Sequence, residues 1–200
     1  MYARVNSIFG PPDKVAAGIA RVEGTDRAAV EASRGNRGLT TLMDSEAGVI
    51  VAVSYWDKLI HSSAPALTRV RERVAAAAEG DLVVESYAVV WQEPGPTLAW
   101  PGATVRVDRV QVDPATAVTG QEFLRTQVLQ QTRLDQGFCG AEFLIDRGRG
   151  AALLLTTWTS APAATRTDAV VAQLRDARTR TSITLRRTET YMLVRGCVPI

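Results

Sequence analysis

The sequence predicts an α+β fold: two ferredoxin-like β-α-β-β-α-β units in one chain, packed sheet to sheet as an intrachain, pseudo-dimeric barrel with helices outside. Three observations predict it. One stretch occurs twice. RGNRGLTTLMDSEAGVIVAVSYW, from Arg34 to Trp56, returns as QGFCGAEFLIDRGRGAALLLTTW, from Gln136 to Trp158. Gly35, Gly38, Leu42, Asp44, Gly48 and Trp56 meet Gly137, Gly140, Leu144, Asp146, Gly150 and Trp158 at one step of 102 residues (Trp56 to Trp158). Each copy also sits in the same order of strand and helix signals. Finally, Val49 to Val53 and Ala151 to Leu155 are apolar at every position, so both faces of these strands need cover. Helices can cover one face, and the sheet of the other unit is the natural cover for the second.

The elements follow in order. Tyr2 to Phe9 reads as a strand ended by Gly10-Pro11-Pro12, and proline suits the first turn of the helix expected from Asp13 towards Ser33, interrupted near Gly24. Leu39–Asp44 and Val49–Trp56 read as strands joined at Ser45-Glu46-Ala47-Gly48. Leu67, Val70, Val74 and Ala77 mark one helical face, with Pro65 at its start and Gly80 as its stop. Leu82 to Trp91 is the closing strand. The second copy gives a strand at Val105–Val112 and a helix opened by Pro114 with Ala117, Gly120, Leu124 and Val128 on one side. A hairpin follows at 141–158, then a helical stretch with Val170, Leu174 and Ala177, and a last strand at Ile183–Val194. Three prolines and two glycines in QEPGPTLAWPGA read as a connector. The expected domains are therefore residues 1–91 and 104–200, with 92–103 as linker.

Composition is that of an ordinary globular protein, 46% hydrophobic and 22% charged, with a net charge of +2. Nothing there asks for nucleic acid or a membrane, and a mild arginine excess in the second half reads as a solvated face. Cys139 and Cys197 are too few for a disulfide framework and lack metal-ligand spacing, so no metal is expected. The start, MYARVNSIFGPPDK, lacks the regions of a signal peptide, and no apolar run reaches bilayer-spanning length. The expected location is the cytoplasm.

ARVNSI, the glycine-marked RGNRGL, the tight hairpin and VSYWDK together resemble the antibiotic biosynthesis monooxygenase family. The resemblance covers nearly the whole chain outside the linker and implies the dimeric α+β barrel, normally built from two chains. Both halves resemble members, so the chain resembles a tandem fusion. Three functions are implied: oxygenation of electron-rich polycyclic phenols without metal or organic cofactor, haem degradation, or fold without known activity. The haem-degrading type uses an asparagine on the first strand, a tryptophan ending the third, and a histidine on the next helix. Asn6 and Trp56 match the first two. His61, the single histidine, follows Trp56 more closely than the family spacing. The second unit has Asp108 and Trp158 at the matching positions and no histidine.

Asn6 and Trp56 are thus the candidate catalytic pair, with Tyr55, His61, Asp108 and Trp158 as candidate ligand contacts. Each has a plainer reading. Both tryptophans suit core packing at a sheet end. Asn6 suits a satisfied strand polar residue, and His61 a surface histidine near a helix start. Tyr55, Tyr87 and Tyr191 suit strands in any case. Asp44 and Asp146 read as turn residues. Arg69 and Arg73 share one helix face with Arg71 apart, all directed to solvent. The expected ligand is a small aromatic or apolar molecule; the expected cofactor is none, with haem as the alternative. Either a monomer with an internal pseudo-two-fold or a homodimer fits.

Overall fold

A computed structural model of the chain describes residues 1–113, 117–166 and 183–196. In the first half, strands β1 (Tyr2–Phe9), β2 (Asn36–Asp44), β3 (Val49–Trp56) and β4 (Asp81–Pro94) alternate with helices α1 (Val15–Arg21), α2 (Arg27–Glu31) and α3 (Pro65–Ala77). In the second, β5 (Thr104–Val112), β6 (Phe138–Asp146), β7 (Ala151–Trp158) and β8 (Ile183–Arg195) alternate with α4 (Ala117–Phe123), α5 (Leu129–Thr132) and α6 (Ala161–Thr165). The strands form a closed barrel in the order β1-β3-β2-β8-β5-β7-β6-β4. The predicted α+β barrel class is the one found. Pro114, Val170, Leu174, Ala177 and Cys197 lie outside the described residues.

Two compact units divide the chain: Met1–Tyr87 with the segment beginning at Met192, and Ala88–Tyr191. In the first unit β3 pairs antiparallel with β1 and β2, and β2 pairs with the end of β8 through Thr41↔Arg195, Leu42↔Leu193 and Met43↔Met192. In the second, β7 pairs with β5 and β6, and the end of β4 pairs with β6 from Ala88↔Ile145 to Pro94↔Gly140. The stretch read as a connector, 92–103, therefore begins inside β4.

Period-two alternation sorts each strand. On β3, Ile50 packs with Val15, Val22 and Val74, and Trp56 packs with Val30, Leu67 and Val70 from the helices. Val49, Val51, Val53 and Tyr55 point to the opposite face and are equally buried. Burying such side chains is worth about 1.5–3 kcal/mol each. The second unit repeats the scheme with Val110, Leu124, Phe143, Leu154 and Ile183 in one cluster and Phe138, Trp158 and Ala163 in another.

Local chemistry also recurs at the 102-residue step. Asp44 Oδ1 accepts from the Glu46 and Ala47 backbone N–H groups, and Asp146 Oδ1 from those of Gly148 and Arg149, so both aspartates build their hairpin turns. A π-helical turn at Val22–Asp26 separates α1 from α2, with Gly24 off helical geometry at φ −81°, ψ −127°. A second π turn, Leu124–Val128, separates α4 from α5.

Buried charge secures the first helical layer. Arg27 is 4% exposed; its guanidinium donates to Glu23, Glu31, the Leu39 carbonyl and Thr41 Oγ1. Asp26, 2% exposed, accepts from Arg21 and Arg73. Arg73 is thus an ion-pair partner rather than a free solvated charge.

The end of α3 corrects one expectation. Gly80 N–H bonds the Ala75 carbonyl and Glu79 N–H the Ala76 carbonyl, a Schellman closure. The left-handed residue is Glu79, at φ 47°, not Gly80. Gly80 is small for another reason: a Cβ there would stand 2.8 Å from the Phe9 carbonyl oxygen on β1.

Candidate functional site

A cavity of about 40 Å³ lies in the first unit between the sheet and its helices. A single buried water needs about 10–15 Å³ on this measure, so the space holds a few waters or a small chemical group. Its floor is Asn6 and Ile8 of β1, Leu39 of β2, and Ala52, Ser54 and Trp56 of β3. Its walls are Val22 and Val30 from the α1–α2 layer, Leu67, Val70, Arg71 and Val74 from α3, and Leu82 of β4. The lining is predominantly apolar with a few convergent polar groups, the usual composition of a small-molecule site.

Those polar groups are held in place. Asn6 is 7% exposed, and its Nδ2 donates to the Ala52 carbonyl at 3.1 Å. Its Oδ1 is buried without a hydrogen-bond partner. A buried acceptor left unmade is costly, which makes Asn6 more than a satisfied strand residue. The Trp56 indole is fully buried and donates Nε1–H to Ser54 Oγ at 2.9 Å.

Arg71 is the residue that the sequence reading sent to solvent and the structure brings to the cavity. It follows Leu67 by four and Val70 by one, so it stands within the apolar stripe of α3. Its guanidinium donates to the Ser62 carbonyl. Burial pushes it down to about 10, and the neighbouring charge of Arg4 acts in the same direction. Arg4, on the same sheet face as Asn6, donates to the hydroxyls of Ser62 and Ser63. Burial lowers Arg4 as well. Among the described residues, neither arginine has a carboxylate partner.

The remaining candidates stand elsewhere. Tyr55, adjacent to Trp56, points to the other face of β3 and does not line the cavity. His61 lies on a short 3₁₀ turn, Leu59–Ser63, outside the lining. Its Nδ1 is 2.6 Å from Asp57 Oδ1. Hydrogen bonding from His61 holds the Asp57 carboxyl below its ordinary value, with help from the Lys58 backbone N–H. A side chain at Gly35, where φ is 77°, would collide with both Asp57 and His61. Tyr87 donates to Glu85, and Tyr191 is buried beside Glu189, both raising its phenol. Neither tyrosine lines the cavity.

The second unit has the same frame with different chemistry. Trp158 is fully buried, donates to Thr156 Oγ1 at 3.0 Å, and meets Phe138 edge-on with centroids 5.3 Å apart. Asp108, at the position of Asn6, is 1% exposed; it accepts from Arg106 Nε at 3.1 Å and from Thr188 Oγ1 at 2.6 Å. Leu154 stands where Ala52 lines the first cavity, and Phe138 where Asn36 pairs with Trp56. Trp91 packs against the same cores and stacks on Phe143 at 5.8 Å.

No protein-family model matches the chain. Protein Rv2557 of Mycobacterium tuberculosis (strain H37Rv), an uncharacterized protein, is 30% identical over 162 residues, which is 80% of this chain and 72% of that relative. Solved structures share the fold of this chain. An anthrone oxidase-like protein superposes with a TM-score of 0.65 at 14% identity, covering 98% of this chain and 92% of that one. A Listeria monocytogenes ferredoxin-fold protein related to antibiotic biosynthesis monooxygenases gives 0.54 at 10% identity, covering 96% and 94%. LmHde, a heme-degrading enzyme from Listeria monocytogenes, gives 0.52 at 10% identity, covering 94% and 98%. At such identities the structures speak for the fold alone. The chain belongs to the family of the Mycobacterium tuberculosis protein Rv2557, and its fold is the ferredoxin-like α+β barrel of proteins related to antibiotic biosynthesis monooxygenases.

Proposed function

We propose that the first unit is the working half, and that its cavity binds a small aromatic or apolar molecule, which it oxygenates without metal or organic cofactor when the substrate is an electron-rich phenol. The observation that carries this reading is the unpartnered, buried Asn6 Oδ1 in an otherwise apolar cavity beside Trp56. The chemistry balances without an external reductant. A phenol and O₂ give a quinone and water: one oxygen atom enters the ring, the other leaves as water, and the substrate supplies all the electrons. The protein's part is to exclude bulk water, position the ring against Trp56, and orient the substrate hydroxyl, from which Asn6 Oδ1 accepts a hydrogen bond. A fused-ring substrate requires the helical wall to move outward from a cavity of about 40 Å³. The names of the solved neighbours, anthrone oxidase-like among them, support the substrate class.

The test is incubation with anthrone under air, following oxygen uptake and quinone absorbance. Wild-type protein is expected to turn over, and Ala52→Leu, which closes the cavity, to lose activity. Binding without turnover would leave a ligand-binding module; no binding would reject the site.

Haem is the second reading, favoured by the fold shared with LmHde. Asn6 and Trp56 line the cavity, but His61 does not, and its Nδ1 is engaged with Asp57. The three residues do not converge on one space, so this geometry does not fit a haem held by His61. Haem titration with and without His61→Ala checks it; a Soret shift that depends on His61 would revive it.

A further inference from the structure

Asn6 and Asp108 stand at matching positions and leave the arginines beside them differently paired, a difference that bears on function if the first cavity is the ligand site proposed above. In the second unit the strand-borne Arg106 is neutralised two residues along by Asp108, at 3.1 Å. In the first unit the matching arginine, Arg4, has the uncharged Asn6 two residues along, and among the described residues its guanidinium bonds only serine hydroxyls. Arg71 then adds a second cation to the same corner, facing the cavity, with a backbone carbonyl as its hydrogen-bond partner. Two half-buried guanidinium groups share Ser62, one through its hydroxyl and one through its carbonyl. Burying charge without a counter-charge is costly. A ligand that brings the missing negative charge removes that cost.

We propose that the first cavity selects a small molecule bearing an anionic oxygen, with Arg71 as its counter-charge and Asn6 Oδ1 accepting a hydrogen bond from a ligand hydroxyl or a bound water. Arg71 is therefore a specificity-determining residue. The shared chemistry is an oxyanion on an aromatic or apolar body, whether phenolate or carboxylate. The second unit, whose arginine already has its acid, lacks this demand.

The experiment uses 4-nitrophenol, whose ionised and neutral forms absorb differently, with the full chain. An apolar cavity alone raises the pH at which a bound phenol ionises, whereas a cation within about 4–6 Å lowers it by roughly one unit or more, about tenfold in the ionisation constant. Wild-type protein is expected to lower it. Arg71→Gln is expected to abolish the lowering, and Arg71→Lys to restore part of it. Asn6→Asp, which installs the second unit's own acid, is expected to abolish it too. Circular dichroism identifies any variant that fails to fold, and the Lys variant keeps the comparison decisive if Gln does.

Competition then separates the two sources. Displacement of the probe by benzoate but not by benzyl alcohol supports the inference with a carboxylate accepted. Lowered ionisation without displacement by benzoate supports it with phenolate alone. Ionisation of the bound probe at higher pH than free probe, or equal displacement by benzyl alcohol and benzoate, overturns the inference while leaving the cavity a ligand site. Absence of binding overturns both.

Discussion

Trp56 is anchored by its own strand: its indole Nε1–H donates to Ser54 Oγ, two residues back, at 2.9 Å. The bond fixes the ring as part of the cavity floor, and Trp158 makes the matching bond to Thr156. Ser54→Ala leaves a fully buried indole N–H unmade, at a cost of about 1–3 kcal/mol. Ser54→Thr, which copies the second unit, is expected to recover most of the loss. Urea denaturation of the three proteins checks this; equal midpoints for wild type and Ser54→Ala would show that the bond contributes nothing.

Position 52 separates cavity from core. Ala52→Leu places the second unit's side chain in the first unit, and is expected to abolish ligand binding while costing no more than about 1–3 kcal/mol of overpacking. The converse change, Leu154→Ala, removes a buried side chain from a packed cluster and is expected to cost about 2–5 kcal/mol. Binding followed by fluorescence should fail in Ala52→Leu and persist in Leu154→Ala, while the denaturant midpoint should fall further in Leu154→Ala. Retained binding in Ala52→Leu would put the ligand elsewhere.

Asp57 sets a pH dependence with a definite sign. His61 Nδ1–H donates to its carboxylate, and the folded value lies below the ordinary 3.8. A depressed carboxyl stabilises the fold fully above its unfolded value, and this contribution disappears as pH falls through the folded value. In His61→Ala the Asp57 titration midpoint, followed by carboxyl NMR, is expected to rise. An unchanged midpoint would assign the depression to the Lys58 N–H instead.

Glu79 holds a left-handed backbone at the end of α3 that glycine adopts without strain. Glu79→Gly gives up the exposed contact with Lys14, which contributes little, and relieves a conformation costing on the order of 1–2 kcal/mol. A raised melting temperature is expected. Gly80→Ala is expected to lower it, because the added carbon meets the Phe9 carbonyl.

Much of this architecture was readable beforehand because it is local. The repeated glycines and aspartates announce turns, and both aspartates build them. The interruption near Gly24 is present as a π turn. Two placements follow from simple periodicity. Leu67, Val70, Arg71 and Val74 follow i, i+3, i+4, i+7, so Arg71 shares the buried face of α3. Tyr55 and Trp56 are adjacent on a strand and cannot face one cavity. Other features are non-local. The register that brings Thr188 to Asp108 spans 80 residues. The partition of β4 and β8 between units is equally a matter of long-range pairing.

That partition decides where the gene can be cut. Thr41, Leu42 and Met43 find their partners in Arg195, Leu193 and Met192, some 150 residues later. A fragment ending at residue 103 would keep every side chain of the cavity yet leave that flank of β2 bare, with backbone groups open to any passing strand. Such a half-protein is expected to aggregate or self-associate, and to become well behaved when a peptide spanning 183–196 is supplied in trans.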